Sequence, residues 1–284
     1  MKTVLVTGSN GQLGNCLKDL ESQHPNLHFL FLSGSDLDIT DLSQIESIFK
    51  KNKIDWCINC AAYTKVDLAE SESPLAFQVN EMGAKNISQV CKVNKVKLIH
   101  ISTDFVFDGA KKRPYIEEDE TNPINVYGLS KLRGEQLIRS SLKEHFIIRT
   151  SWMFSEHGNN FLKTMLFLSE SRNEINVVND QCGVPTYAGD LAVVILNIIE
   201  NEIANYGVFH YCNHGETTWF GFAKEIFSLI NSNIRVNPIS SAQYLTPAKR
   251  PSYSVLDNAK IKETLSIEIP NWKSSLKKAI IKIK

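Results

Sequence analysis

The apolar positions of the first half of the chain alternate between two periods. Short β-branched and large apolar runs at 3–7 (TVLVT), 27–32 (LHFLFL), 54–60 (IDWCINC), 98–102 (LIHIS) and 146–152 (FIIRTSW) read as strands. Between them apolar residues recur at helical spacing. Leu13, Leu17 and Leu20 predict a helix directly after the first strand. Others follow at 42–51, capped by Asp41 or Thr40, and at 73–92, interrupted near Gly83. A further helix carries Tyr127 and Lys131 and is entered at Asn122-Pro123, with Pro123 in its first turn. Nearly continuous apolar strands alternating with helices predict an α/β fold, a Rossmann-type doubly wound parallel sheet. Beyond residue 150 the alternation loosens. Helices are expected at 161–172, 188–200, 219–230 and 272–283, short strands at 207–213 and 234–240, and a proline-rigid loop at 246–253. Residues 1–150 are therefore assigned mainly to the sheet domain. Residues 151–284 are assigned mainly to a smaller C-terminal substrate-binding lobe, with some segments returning to the sheet.

The totals narrow the function. A chain of 284 residues can bury a substantial core. Its 31 basic and 31 acidic residues balance without a long block of either sign, which argues against nucleic acid or a charged membrane surface as partner. The amino end enters a strand at once, without a signal-peptide pattern, and no apolar run is long enough to span a bilayer. A cytoplasmic protein without membrane insertion is expected. Of six cysteines, Cys57 and Cys60 make a C-x-x-C, but within an apolar strand and with no second pair. They are expected to be small buried hydrophobes, and no metal is assigned.

The chemistry starts at the first strand's exit. Gly8, Gly11 and Gly14 form G-x-x-G-x-x-G between strand and helix, where a tight turn and free helix N–H groups suit a pyrophosphate. The second strand ends in Ser33-Gly34-Ser35, with neither the acid that favours NADH nor an arginine for NADPH, and Asp38 and Ile39 follow. NADPH or NADH is thus the expected cofactor. Small Ala61 and Ala62 at the third strand's exit leave room for it against the backbone. The fourth strand ends in Ser102-Thr103-Asp104. Tyr127 and Lys131 stand one helical turn apart, on one face. An adjacent ammonium would lower the phenol below its ordinary value, and Thr103 could hydrogen-bond the same carbonyl oxygen. This is a carbonyl-reducing constellation. Gly128 is expected to let the cofactor approach. Trp152 could cover a sugar or a nicotinamide, and the Lys249-Arg250 pair suits a diphosphate.

Taken together, TGSNGQLG (7–14), CAAYTKVDLAE (60–70), STDFVFDG (102–109), NPINVYGLSKLRGE (122–135), IRTSWMF (148–154) and VVNDQCGVPTYAGDLA (177–192) resemble the dTDP-4-dehydrorhamnose reductases of the extended short-chain dehydrogenase/reductase superfamily. The resemblance runs nearly end to end. It implies that Tyr127 protonates the C4 keto oxygen of a dTDP-linked 4-keto-6-deoxy sugar, with Thr103 polarising it and Lys131 holding the nicotinamide ribose. It places Gly8, Asn10, Gly11, Gln12 and Leu13 at the pyrophosphate, Asp38 and Ile39 at adenosine, and Ala61, Ala62, Tyr63 and Ser102 along the cofactor. Asp104 and Trp152 would face the sugar, and Arg250 the diphosphate. Magnesium-dependent dimeric relatives use a glutamate where this chain has Cys16, so their metal is not carried over, and a homodimer is allowed but not required. Dehydratases of the superfamily need an acid where this chain has Phe105. Reduction or epimerisation of another nucleotide-linked keto sugar, or a non-catalytic cofactor-binding regulatory subunit, are the competing expectations.

Overall fold

The computed structural model describes residues 1–283. Strands β1 (Lys2–Thr7), β2 (Leu27–Leu32), β3 (Trp56–Asn59), β4 (Lys97–Thr103), β5 (His145–Thr150) and the strand Gly207–His210 make one six-stranded sheet. From one edge the order is Gly207–His210, β5, β4, β3, β1, β2, and every pairing is parallel. The period-two pattern explains how it is covered. Val4 and Val6 face a layer containing Leu13 and Leu17 of α1 (Gln12–Leu20) and Leu191 and Ile195 of the Ala188–Glu200 helix. Leu5, between them, faces the other layer, with Ile45 and Phe49 of α2 (Leu42–Lys51) and Ile87 and Val90. All of β3 and β5 is buried, as expected for interior parallel strands.

The helix following β3 departs from regularity where the sequence predicts an interruption. Ser73–Phe77 is α-helical, Gln78–Gly83 is a π-helical stretch, and Ala84–Asn94 is α-helical again. Asp41 is the cap of α2, accepting from the N–H groups of Ser43 and Gln44. The helix bearing Tyr127 starts later than expected, at Val126 (Val126–Ser141), because Asn125 is its cap and accepts from the Gly128 N–H at 2.7 Å. Pro123 therefore lies outside the first turn.

The carboxyl-terminal segments divide. The Ala188–Glu200 helix and the Gly207–His210 strand belong to the sheet and its cover. A smaller lobe has its own core of Phe154, Leu162, Met165, Phe222, Ile226, Trp272 and Leu276. Helices Phe161–Ser171, Trp219–Leu229 and Trp272–Ile283 build it, with Arg235–Ile239 paired parallel to Glu174–Val178. No described helix is long and apolar enough to cross a membrane.

Candidate active site

A cleft of about 920 Å³ runs across the carboxyl ends of β1, β3, β4 and β5, where the strand order reverses between β1 and β3. Gly8, Asn10, Gly11, Gln12, Leu13, Asp38, Ile39, Ala61, Ala62, Ser102, Thr103, Asp104, Tyr127, Lys131, Trp152 and Arg250 all line it. Tyr63, assigned to the cofactor trough, is not on the cleft wall. Asn80 holds its N–H and its carbonyl (2.8 and 3.0 Å), and its phenol donates to Glu72 at 2.7 Å. Tyr63 thus fixes the β3 exit to the π-helical stretch, and does not face the cleft.

The glycine loop fits a dinucleotide phosphate. Gly8 has φ +63°, and a Cβ there would lie 2.7 Å from the Ala61 backbone, so only glycine lets β1 and β3 exits close on each other. Gly11 caps α1 without a side-chain bond. The first N–H groups of α1, at Gln12, Leu13 and Gly14, have no partner within the helix, and all three residues line the cleft. The Gln12 side chain is already committed to neighbouring protein groups. Its amide donates to the Met153 carbonyl (3.3 Å) and accepts from Ser155 and Asn160 (both 2.9 Å). Asp38 is exposed and accepts the Thr40 N–H, while Asp36 holds the N–H and hydroxyl of Ser33. Neither arrangement presents the β2-end carboxylate that favours NADH.

At the centre, Gly128 brings Tyr127 to Thr103. A Cβ at Gly128 would collide with the Phe105 carbonyl oxygen, so the glycine makes room for protein backbone rather than for a cofactor. Thr103 Oγ1 donates to Asp104 Oδ1 at 3.1 Å and accepts the Phe105 N–H. Phe105 meets the Tyr127 ring edge-on, 5.9 Å between centroids, where a dehydratase would need an acid. The expected lowering of the phenol is overturned. Burial and the Asp104 carboxyl push Tyr127 up to about 12, against the opposing effect of the Thr103 hydroxyl. Lys131 does not offset this, because its own ammonium is buried, 2% exposed, and directed to the Ile101 carbonyl at 2.7 Å, with His100 Nε2 at 3.3 Å. Burial lowers Lys131 to about 8, opposed by Glu135 and Cys60, and His100 is held well below its ordinary range.

Two further assignments change in detail. The Ser102 hydroxyl is engaged with Glu135 at 2.5 Å, and Glu135 forms a buried pair with Arg149 at 2.7 Å. Ser102 therefore offers the cleft no free hydroxyl donor. Arg250 lines the cleft but is clamped by Asp67, at 3.0 and 2.8 Å, and by Thr246 Oγ1 at 2.7 Å. Asp104 is 2% exposed, its Oδ2 has no partner, and burial pushes its carboxyl up to about 7. Sequence reasoning missed Trp219, which lines the cleft and stacks on Trp152 at 3.7 Å and 9°. Its signal was a tryptophan at the first position of an amphipathic helix. Asn80 and His100 were missed too, for lack of any local pattern. Cys57 is buried and Cys60 half-buried, and neither forms a disulfide; a hydrogen bond with Cys91, and then burial, raise the Cys57 thiol, while burial raises that of Cys60.

Comparison with known proteins agrees with this architecture. The RmlD substrate binding domain family matches residues 1–284. The dTDP-4-dehydrorhamnose reductase of Sinorhizobium fredii is 41% identical over 284 residues, covering 97% of this chain and 95% of that protein. The dTDP-4-keto-6-deoxy-D-glucose reductase of Streptomyces niveus is 36% identical, covering 97% of this chain and 95% of that protein. The crystal structure of dTDP-4-dehydrorhamnose reductase from Bacillus anthracis, in complex with NADP, superposes with a TM-score of 0.95 at 39% identity over 100% of both chains. The chain belongs to the RmlD family of dTDP-4-dehydrorhamnose reductases and is an NAD(P)H-dependent oxidoreductase of Rossmann fold.

Proposed function

We propose that the chain reduces the C4 ketone of dTDP-4-dehydro-6-deoxy-L-mannose to dTDP-L-rhamnose, using NADPH or NADH. The observation that carries this reading is the convergence of Thr103, Tyr127 and Lys131 on one cleft with the uncapped start of α1. Bound NAD(P)H supplies hydride to the carbonyl carbon. Tyr127, with its phenol near 12, stays protonated at neutral pH and gives its proton to the carbonyl oxygen as charge develops there. Thr103 hydrogen-bonds the same oxygen. Lys131, near 8, is cationic at neutral pH, with its ammonium held at the Ile101 carbonyl one helical turn from Tyr127. Solvent then reprotonates Tyr127. Asp104, raised to about 7 and so protonated in part near neutrality, serves the sugar as a hydrogen-bond donor as well as acceptor.

Loss of reduced-nicotinamide absorbance with this substrate, in parallel for the two coenzymes, tests the reading, with the product identified by NMR. Oxidation yielding dTDP-L-rhamnose supports it, and oxidation of both coenzymes is expected. Silence despite cofactor binding would reject it. A second reading is reduction of a dTDP-linked 4-keto sugar of other stereochemistry, favoured by the Streptomyces niveus relative. Rapid turnover of such a sugar alone would favour that reading, since a few pocket contacts decide sugar stereochemistry.

A further inference from the structure

We infer that Cys16, Glu156 and His157 form a binding site for one zinc ion, separate from the cleft. None of the three lines the cleft. Cys16 comes from the buried face of α1, and Glu156 and His157 from the loop that follows Phe154. One donor atom from each lies within 4.8 Å of the others. Tetrahedral zinc with ordinary bond lengths separates its sulfur and nitrogen ligands by about 3.5 Å, so closure needs an inward shift of at most about 1 Å.

Two independent observations point to a ligand. The Glu156 side chain is only 7% exposed, and its Oε2 is buried without a hydrogen-bond partner. Its Oε1 already receives Tyr187 at 3.0 Å and Lys282 at 2.8 Å, so Oε2 is the oxygen left to coordinate. His157 Nε2 lies 2.7 Å from Asp19 Oδ2. A ring N–H held by that carboxylate leaves Nδ1 with its lone pair free, the orientation that a carboxylate gives to metal-ligating histidines.

The donor set selects the metal. Thiolate and imidazole suit zinc and exclude the hard cations magnesium and calcium, and three protein ligands leave a fourth position for water. Binding expels the Cys16 thiol proton to solvent, and His157 ligates as the neutral ring. Zinc and Lys282 then balance the charges of Cys16, Glu156 and Asp19. Tyr187 and Ser155, the other polar neighbours, add none. His157 is 28% exposed and provides the way in. Occupancy would clip the loop leading to Gly158, Asn159 and Asn160, all on the cleft, to α1.

The test is a cobalt titration of the full chain after chelator treatment. One equivalent of Co²⁺ should produce thiolate-to-cobalt charge-transfer absorption and tetrahedral d–d bands, displaced by Zn²⁺ and not by excess Mg²⁺. Cys16→Ser should abolish the charge-transfer band. Asp19→Asn should weaken affinity about 10- to 100-fold, the usual effect of removing such a histidine partner. His157→Gln, on a part-exposed side chain, should lose the site while keeping the metal-free circular dichroism spectrum and thermal midpoint. No charge-transfer band, a band that survives in Cys16→Ser and His157→Gln, or displacement by Mg²⁺ would overturn the inference.

Discussion

Tyr127 shows how far one-turn spacing goes as an argument. The spacing correctly placed Tyr127 and Lys131 on one wall, but it could not say where the ammonium points, and the phenol is raised instead of lowered. A neutral phenol is still a competent acid toward a developing alkoxide. Tyr127→Phe should therefore keep cofactor affinity, measured by fluorescence titration, while kcat falls at least about 10²-fold. An unchanged kcat would remove Tyr127 from the mechanism. Asp104 makes a separate prediction about stability. Its carboxyl rises from the usual 3.8 to about 7 through burial. The folded state then holds the proton more tightly than the unfolded chain, so this contribution is full below about pH 3.8 and is lost as pH rises to about 7. Asp104→Asn keeps the volume and removes the titration. The stability of the variant relative to the parent should climb between those limits by up to about 4 kcal/mol, at about 1.4 kcal/mol for each pH unit. Denaturant unfolding across this range checks it, and a flat difference would mean that the carboxylate is already well solvated or paired.

At the level of elements, the fold was legible wherever a pattern is local. The β2 and α2 limits, the Ala188–Glu200 helix and the break near Gly83 follow from apolar periodicity, a capping aspartate and a helix-weakening glycine. What was not legible depends on contacts distant in sequence. Gly128 reads as a weak point in a helix, yet its missing Cβ is what admits the Phe105 carbonyl. Helix propensity alone predicts that Gly128→Ala stabilises by about 1 kcal/mol. The collision predicts the opposite, a loss of about 1–3 kcal/mol and a lower kcat as Tyr127 is displaced from Thr103. A lowered thermal midpoint together with reduced kcat would show that packing wins, and a raised midpoint would show that propensity does. Asn80 is a similar case. Nothing around it in sequence indicates that it holds both backbone groups of Tyr63 and the Ser130 hydroxyl, or that it ties the π-helical stretch to two other elements.

At the scale of the molecule, the sheet and the smaller lobe meet along the cleft through a few polar and aromatic joints. Gln12 on α1 holds Ser155 and Asn160, and Asp67 after β3 holds Arg250. Trp152, just past β5 at φ +44°, stacks on Trp219 at the start of a lobe helix. On the proposed reading the two ligands have different supports: the cofactor would rest on the glycine loop and α1, while the Trp152–Trp219 stack walls the end of the cleft nearer the lobe. Trp219 is braced in turn by its Nε1 bond to Gln181 at 3.2 Å. Trp219→Ala removes the backing of Trp152 without touching the glycine loop. A stacked aromatic pair contributes about 0.5–1.5 kcal/mol beyond buried area, so KM for the dTDP-sugar should rise by up to about tenfold. Cofactor affinity and kcat at saturating sugar should stay close to those of the parent. Steady-state kinetics alongside a cofactor titration separates the two ends. If cofactor affinity fell and the sugar KM did not, the stack would belong to the nicotinamide, and the division of the cleft between sheet and lobe would have to be redrawn.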